Sequence, residues 1–233
     1  MATDRMTRRT TLGMAGAMAL GGSAVLGKQT NTSAAVKILG IACSPREGKT
    51  TATAVKTALE AAKTVDSRIA VELLDLGGLE ISGWAGGSRP EEGTQIKDDF
   101  DLLLPMLRDE AVAGWIVGSP VYFRSMSAVC KAFLERCAAL RTPTLLLADK
   151  PVGVLAVGAY RNGGQELTID QIQTALLCHE MMLVGGKPRA HQGATLWNAY
   201  DDDITKDEFG MDTAKKLGVR VAEAALKLHP AKA

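Results

Sequence analysis

From Val36 onward the sequence consists of short apolar runs separated by longer segments whose apolar residues fall three and four apart. The runs are Val36 to Ala42, Ile69 to Asp75, Ala113 to Gly118, Val152 to Val157 and Met181 to Val184, each rich in Val, Ile or Leu. Such near-continuous apolar runs read as strands covered on both faces, the condition of a parallel sheet. Between them lie Thr50 to Val65, Thr94 to Arg108, Ser125 to Leu140 and Thr168 to His179, with a last segment from about Lys206 to Leu228, all at helical spacing. Strands alternating with helices predict an α/β domain with helices on both faces of the sheet.

Five strands and five helices make the count of a flavodoxin-like fold, a five-stranded parallel sheet whose ligand sits beyond the carboxyl ends of the strands. Residues 36–233 are expected to form this one domain, and function is to be sought in the loops after each strand. The composition agrees: 46% hydrophobic and 23% charged residues suit a packed globular core and exclude a collagen-like or disordered chain. A net charge of +1 argues against nucleic acid as a partner, because phosphate contacts need a clustered excess of Lys and Arg. The four cysteines, Cys43, Cys130, Cys137 and Cys178, include no C-x-x-C pair and no spacing typical of a metal site. On a helix, seven residues separate Cys130 from Cys137 by about 10 Å along the axis, too far for a disulfide.

Residues 1–35 differ from the rest. Arg5, Arg8, Arg9 and Lys28 stand against the single acid Asp4, so the remainder of the chain is mildly acidic. The run Arg5-Met6-Thr7-Arg8-Arg9-Thr10-Thr11-Leu12, followed by a weakly apolar Gly/Ala-rich stretch from Gly13 to Gly27, resembles a twin-arginine export signal and its linker. Thr11 stands where an aromatic residue is commoner. The apolar stretch is too short and too rich in glycine for a membrane span, which needs about 20 strongly apolar residues. Ser33-Ala34-Ala35 and Ser23-Ala24 are both cleavage candidates, and no cysteine here suggests a lipoprotein. The expectation is a periplasmic or otherwise exported protein. The alternative is a basic tail without a targeting role, which would leave the protein cytoplasmic.

Three loops carry the chemistry. After the first strand comes Cys43-Ser44-Pro45-Arg46-Glu47-Gly48-Lys49-Thr50-Thr51, running straight into a helix. Hydroxyls, backbone N–H groups, a guanidinium and the positive end of a helix dipole all suit a phosphate. A Walker A loop would need glycine five residues before Gly48, where Cys43 stands. A plain turn capped by Ser44 is the structural alternative. After the third strand comes Gly118-Ser119-Pro120-Val121-Tyr122-Phe123-Arg124-Ser125-Met126-Ser127, with a stiffening proline and two flat rings that either meet a ligand or pack a helix on the sheet. After the fourth comes Gly158-Ala159-Tyr160-Arg161-Asn162-Gly163-Gly164-Gln165-Glu166, whose double glycine permits close approach, although an ordinary flexible loop reads the same way.

Together with Lys131-Ala132-Phe133-Leu134-Glu135-Arg136, these loops resemble the NADPH-dependent FMN reductase superfamily, and within it the iron–sulfur flavoproteins. The likeness covers roughly Val36 to Val184. It implies that Ser44, Arg46, Thr50 and Thr51 hold the phosphate of FMN, with Lys49, unusual at its place, adding a further charge. It also implies that Pro120, Val121, Tyr122 and Phe123 line the ribityl chain and ring, with Tyr160, Gly163 and Gly164 beside the far side of the flavin. The iron–sulfur branch carries a compact cysteine cluster before its second helix. Here the matching stretch, from Ile81 to Asp99, has no cysteine, so FMN is expected to be the only redox centre, with no iron–sulfur cluster.

The resulting expectation is an FMN-dependent oxidoreductase that passes a hydride or electrons to a quinone-like or other electron-poor small molecule, with NAD(P)H as a candidate donor. Export would make a redox protein or membrane quinone a credible electron partner. The resemblance implies a homo-oligomer. Two other classes stay open: a flavodoxin-like electron carrier without turnover of its own, and a non-catalytic flavin-binding module. Two further clusters invite a reading. Cys178-His179-Glu180 offers a nucleophile beside a base, but adjacency in sequence is not catalytic geometry. Asp201-Asp202-Asp203 reads as a cation or partner site, or as a solvated loop with a helix cap.

Overall fold

The computed structural model describes residues 36–84, 98–199 and 201–230. The candidate export signal and the 1–35 boundary lie outside these residues. Six strands form one parallel sheet: β1 (Val36–Ala42), β2 (Ile69–Asp75), β3 (Val112–Pro120), β4 (Pro151–Gly158), β5 (Met182–Leu183) and β6 (Ala194–Trp197). Their order is β2-β1-β3-β4-β5, with β6 also paired to β4. The helices are α1 (Thr50–Lys63), α2 (Leu104–Leu107), α3 (Ala128–Arg136), α4 (Gln165–Leu177) and α5 (Glu208–Leu228). This is the flavodoxin-like α/β architecture expected from the strand and helix count, and its order places β1, β3 and β4 side by side.

Both faces of the sheet are apolar, as the sequence runs require. Along β1, Leu39 and Ile41 point into one core while Val36, Ile38 and Ala42 point into the other. In β4, Val152, Val154 and Ala156 alternate in the same way with Leu155 and Val157. The first core is closed by α2, α3 and α4, with Trp115, Phe100 and Phe133 as its largest buried rings. Those rings pack tilted, with centroids about 6 Å apart. The second core is closed by α1 and α5, where Ala54, Val55, Ala58 and Leu59 meet Ala214, Leu217, Val221 and Ala225. Small residues on both helices let the two axes approach closely.

Two expectations change. The fifth strand position is filled by two short pieces: β5 pairs with Pro151 and Val152 at the start of β4, and β6 pairs with Leu155 to Gly158 at its end. Sequence reasoning finds β5 and misses β6, because Ala194 to Trp197 is only four residues long and sits outside any apolar run. The segment read as one helix from Thr94 to Arg108 is, where described, a 3₁₀ turn over Asp99–Leu103 leading into the four residues of α2. Pro105, in the first turn of α2, has no N–H to give to a longer helical ladder.

Candidate functional site

The loops after β1, β3 and β4 come together at the carboxyl edge of the sheet and are tied by named bonds. Cys43 N–H donates to Gly118 O at 2.7 Å, and Val121 N–H donates to Val157 O at 2.9 Å. The Ser127 hydroxyl donates to Cys43 O at 2.6 Å, joining the start of α3 to the first loop. Gly164, at φ 105°, is the left-handed residue that opens α4, and a Cβ there would lie 3.3 Å from the Arg124 Cα, so the third loop is pressed against the second.

The first loop is rigid underneath and open above. The Ser44 hydroxyl accepts the Arg46 N–H at 3.1 Å, closing a turn around Pro45. The Asp75 carboxylate at the end of β2 accepts N–H bonds from Gly48 (2.7 Å) and Gly77 (3.0 Å). A Cβ on Gly77 would stand 2.3 Å from the Glu47 backbone, so only glycine lets the β2 turn support the loop this closely. Cys43 is buried in the core, where burial pushes its thiol well above its ordinary range and the neighbouring Cys130 adds to the effect.

Helix α1 starts without a cap. Lys49 occupies the N-cap position in extended geometry and forms no capping bond. A cation there opposes the helix dipole. The next two residues, Thr50 and Thr51, are buried, yet their hydroxyls have no hydrogen-bond partner among the described residues. The first N–H groups of the helix lack intrahelical acceptors by geometry. Arg46 and Lys49 stand exposed beside this end. The loop thus leads two exposed basic residues, one of them paired with Asp202, into a helix start with unused N–H donors. Such an arrangement fits the phosphate monoester of FMN, the group that the family resemblance assigns to Ser44, Arg46, Lys49, Thr50 and Thr51.

The second loop holds a tight turn. Tyr122 and Ser125 exchange backbone bonds in both directions, at 2.9 and 3.0 Å, and the two residues between them, Phe123 and Arg124, have φ of 50° and 63°. Turns of this shape normally carry Asn-Gly. Left-handed backbone costs a non-glycine residue about 1–2 kcal/mol, so the surroundings must hold it. The Ser125 hydroxyl does so in part, donating to Gln171 of α4 at 2.7 Å. The strained turn leaves Phe123 fully exposed and Tyr122 41% exposed. Neither ring packs a helix onto the sheet, which removes the structural alternative for these two residues. Pro120 is buried at the end of β3, and Val121 is half-buried.

The third loop is organised by Gln165, a buried side chain that accepts from Gly163 N–H (2.8 Å) and donates to Tyr160 O (2.6 Å) and Leu196 O (3.2 Å). Tyr160 and Gly163 are thereby fixed, with the Tyr160 ring 65% exposed. Trp197, at the end of β6, donates from its indole N–H to Ala159 O at 2.8 Å and carries the Arg161 guanidinium 4.4 Å above its ring. Beside this loop a recess of about 620 Å³ is lined by Arg124, Arg161, Gln165, Trp197 and Phe209 among others. Sequence reasoning misses Asp75, Gln165 and Trp197. Gln165 follows the double glycine it anchors, a usable signal. The other two act through contacts that no local pattern encodes.

The remaining candidates resolve as structure. The Cys178 thiol points back to Thr174 O, Arg141 holds the Cys178 carbonyl, and burial followed by the nearby Arg141 charge pulls His179 below its ordinary range. Asp203 caps the 3₁₀ turn at Ile204–Lys206, and Asp202 pairs with Arg46. Among the described residues, no group of three or more His, Cys, Asp or Glu could hold a metal ion.

The chain matches the sequence profile described as NADPH-dependent FMN reductase over residues 36–195. An iron-sulfur flavoprotein of Methanocaldococcus jannaschii is 39% identical over 191 residues, which cover 81% of this chain and 96% of the relative. A protein of Archaeoglobus fulgidus named NAD(P)H dehydrogenase (quinone) is 29% identical over 143 residues, or 60% of this chain and 65% of the relative. Among solved structures, RosB with bound 8-demethyl-8-formylriboflavin-5'-phosphate superposes with a TM-score of 0.63 at 14% identity, covering 83% of this chain and 80% of that one. That likeness is one of fold. By the extent of the profile match and the identity to the Methanocaldococcus protein, this chain belongs to the NADPH-dependent FMN reductase family.

Proposed function

We propose that the protein is an FMN-dependent oxidoreductase that binds FMN across the three loops and reduces an electron-poor small molecule in the recess beside them. The carrying observation is the uncapped start of α1, where two buried threonines whose hydroxyls form no hydrogen bond within the described residues follow directly on the exposed Arg46 and Lys49, a sequence of groups suited to a phosphate. In this reading Ser44, Arg46, Lys49, Thr50 and Thr51 hold the phosphate. Pro120, Val121, Tyr122 and Phe123 flank the ribityl chain and one side of the ring, and Tyr160, Gly163 and Gly164 flank the other. When bound, the flavin supplies two-electron and one-electron chemistry, and the protein supplies orientation and electrostatics. Arg124 and Arg161 favour an acceptor bearing negative charge or electron-rich oxygens, and Trp197 and Phe209 favour a planar one. The name of the Archaeoglobus relative supports quinones as acceptors and a nicotinamide coenzyme as donor.

FMN is proposed as the sole redox centre. The relatives named iron-sulfur flavoproteins would suggest a cluster, but this chain has no cysteine between Cys43 and Cys130, and Cys43, Cys130 and Cys137 are buried in the core. The fully exposed Phe123 at the rim supports a second reading, an electron carrier docking a redox protein. Purified full-length protein should be yellow, release FMN identifiable by mass, contain no iron, and turn over a quinone with NADPH or NADH. Folded, colourless protein that takes up no added FMN would refute the cofactor assignment. Rapid electron exchange with a redox protein, without quinone turnover, would favour the carrier. Replacing Arg8 and Arg9 by Lys tests export, which should stop.

A further inference from the structure

The Asp201-Asp202-Asp203 run divides its labour. Asp203 caps the 3₁₀ turn next to it, and Asp201 is held by Lys206 at 2.7 Å. Asp202 does neither. It sits in the left-handed region at φ 57° and sends its carboxylate 156 residues back along the chain to Arg46, in the loop after β1. Both carboxylate oxygens lie 2.8 Å from a single nitrogen, Nη1. The Nε–H and Nη2 groups have no partner among the described residues. Both side chains are more than 40% exposed, so the pair adds little to stability.

We propose that Asp202 is a positioning residue for the FMN phosphate, holding the Arg46 guanidinium by one nitrogen so that its remaining donors stay available to the anion. The inference rests on the FMN reading above. An arginine on an exposed loop samples many rotamers, and ordering it at the moment of binding lowers affinity. Here the backbone of Arg46 is already fixed by Ser44 and the head is fixed by Asp202. A carboxylate that competed with the phosphate would occupy the two-nitrogen fork that phosphates use. Asp202 straddles one nitrogen instead and leaves the rest of the fork open. The cost is one negative charge near the site, screened by solvent at this exposure.

The test is flavin titration of the full-length protein after removal of its flavin, with FMN and with riboflavin, which has no phosphate. D202A and D202N should weaken FMN by about five- to tenfold and leave riboflavin unchanged. In an R46A background, D202A should cause no further loss. Tighter FMN binding by D202A would show that Asp202 competes with the phosphate and would overturn the proposal. An equal loss of riboflavin, or a loss that persists in R46A, would show that Asp202 merely holds the loop, and would overturn it too. Wild-type protein that binds neither flavin would refute the cofactor assignment together with this proposal. Wild-type protein that prefers FMN, with D202A unchanged, would refute this proposal alone.

Discussion

Helices α1 and α3 begin behind neighbouring strands of the same sheet, and their first turns are built in opposite ways. At α3, Ser127 accepts the Cys130 N–H at 3.1 Å and donates to Cys43 O, so the helix end is closed by the protein itself. At α1 the cap position holds a lysine, and the hydroxyls of the two threonines after it have no partner among the described residues. The unsatisfied donors of a helix start are a fixed geometric fact. A serine at one position and a lysine at the other decide whether that potential is taken up by the fold or left unused by it. The 3₁₀ turn at Asp99–Leu103 is a third, closed case, with the nearly buried Asp98 accepting N–H bonds from Phe100 and Ser82 and an ion pair from Arg136.

Mutations at the closed starts should therefore change the stability of flavin-free protein, and those at the open start should change ligand affinity. The largest effect is expected at Asp98. Replacing it by Ala leaves the mostly buried Arg136 with only the exposed Asp101 at 3.7 Å as an acidic partner, and should lower the unfolding free energy by about 3 kcal/mol in urea titrations at pH 7. Burial alone would raise this carboxyl, but the Ser82 and Phe100 N–H bonds and Arg136 outweigh it and hold it below the usual carboxylate range. Its stabilisation is thus complete above the unfolded value near about 3.9 and is lost as pH falls through the lower folded value. The gap between wild type and variant should close below about pH 4. A gap that stays constant to pH 2 would contradict that assignment.

Ser127→Ala comes next, at about 2 kcal/mol for one cap and one further buried bond, with FMN affinity changed little once the protein is folded. A loss of FMN affinity larger than the loss of stability would break the contrast between the two helices. Lys49→Asp converts the open start into a closed one. Flavin-free protein should gain about 1 kcal/mol in stability, while FMN should bind about tenfold more weakly. A variant that gains stability and keeps its FMN affinity would show that the phosphate lies elsewhere. The smallest effect is pH-linked. A phosphate monoester loses its second negative charge near about pH 6, so FMN affinity should fall a few-fold between pH 7 and pH 5, while riboflavin affinity stays flat.

Much of this is legible in sequence, for identifiable reasons. Strands covered on both faces write themselves as apolar runs, so the apolar pattern places β1 to β4 to within a residue or two. The candidate phosphate loop stands out in the sequence because its parts are consecutive from Ser44 to Thr51. The start of α3 reads too early, at Ser125, because helical spacing does not show that Ser125 is used in the Tyr122 turn and that Ser127 is the cap. β6 escapes notice because its four residues are a strand only by virtue of pairing with β4. Trp197, Asp75 and Asp202 do not announce themselves as neighbours of the candidate site for a related reason: each contacts a loop distant in sequence, and only the folded chain brings them there.

The division of the edge position into β5 and β6 bears on how such a protein can diversify. β5 registers only with the first residues of β4, and β6 only with the last, so the stretch joining them can change in length without shifting β4 itself. Of the residues that line the recess, Thr195, Leu196, Trp197, Asp207 and Phe209 belong to β6 and the chain beyond it, and the Asp202 contact to Arg46 comes from the same stretch. The candidate phosphate loop is anchored in the middle of the sheet, while the Trp197 and Phe209 side of the recess is attached at its border, through the four residues of β6. Changes in the border pieces therefore leave the pairing of β1, β3 and β4 with one another in place.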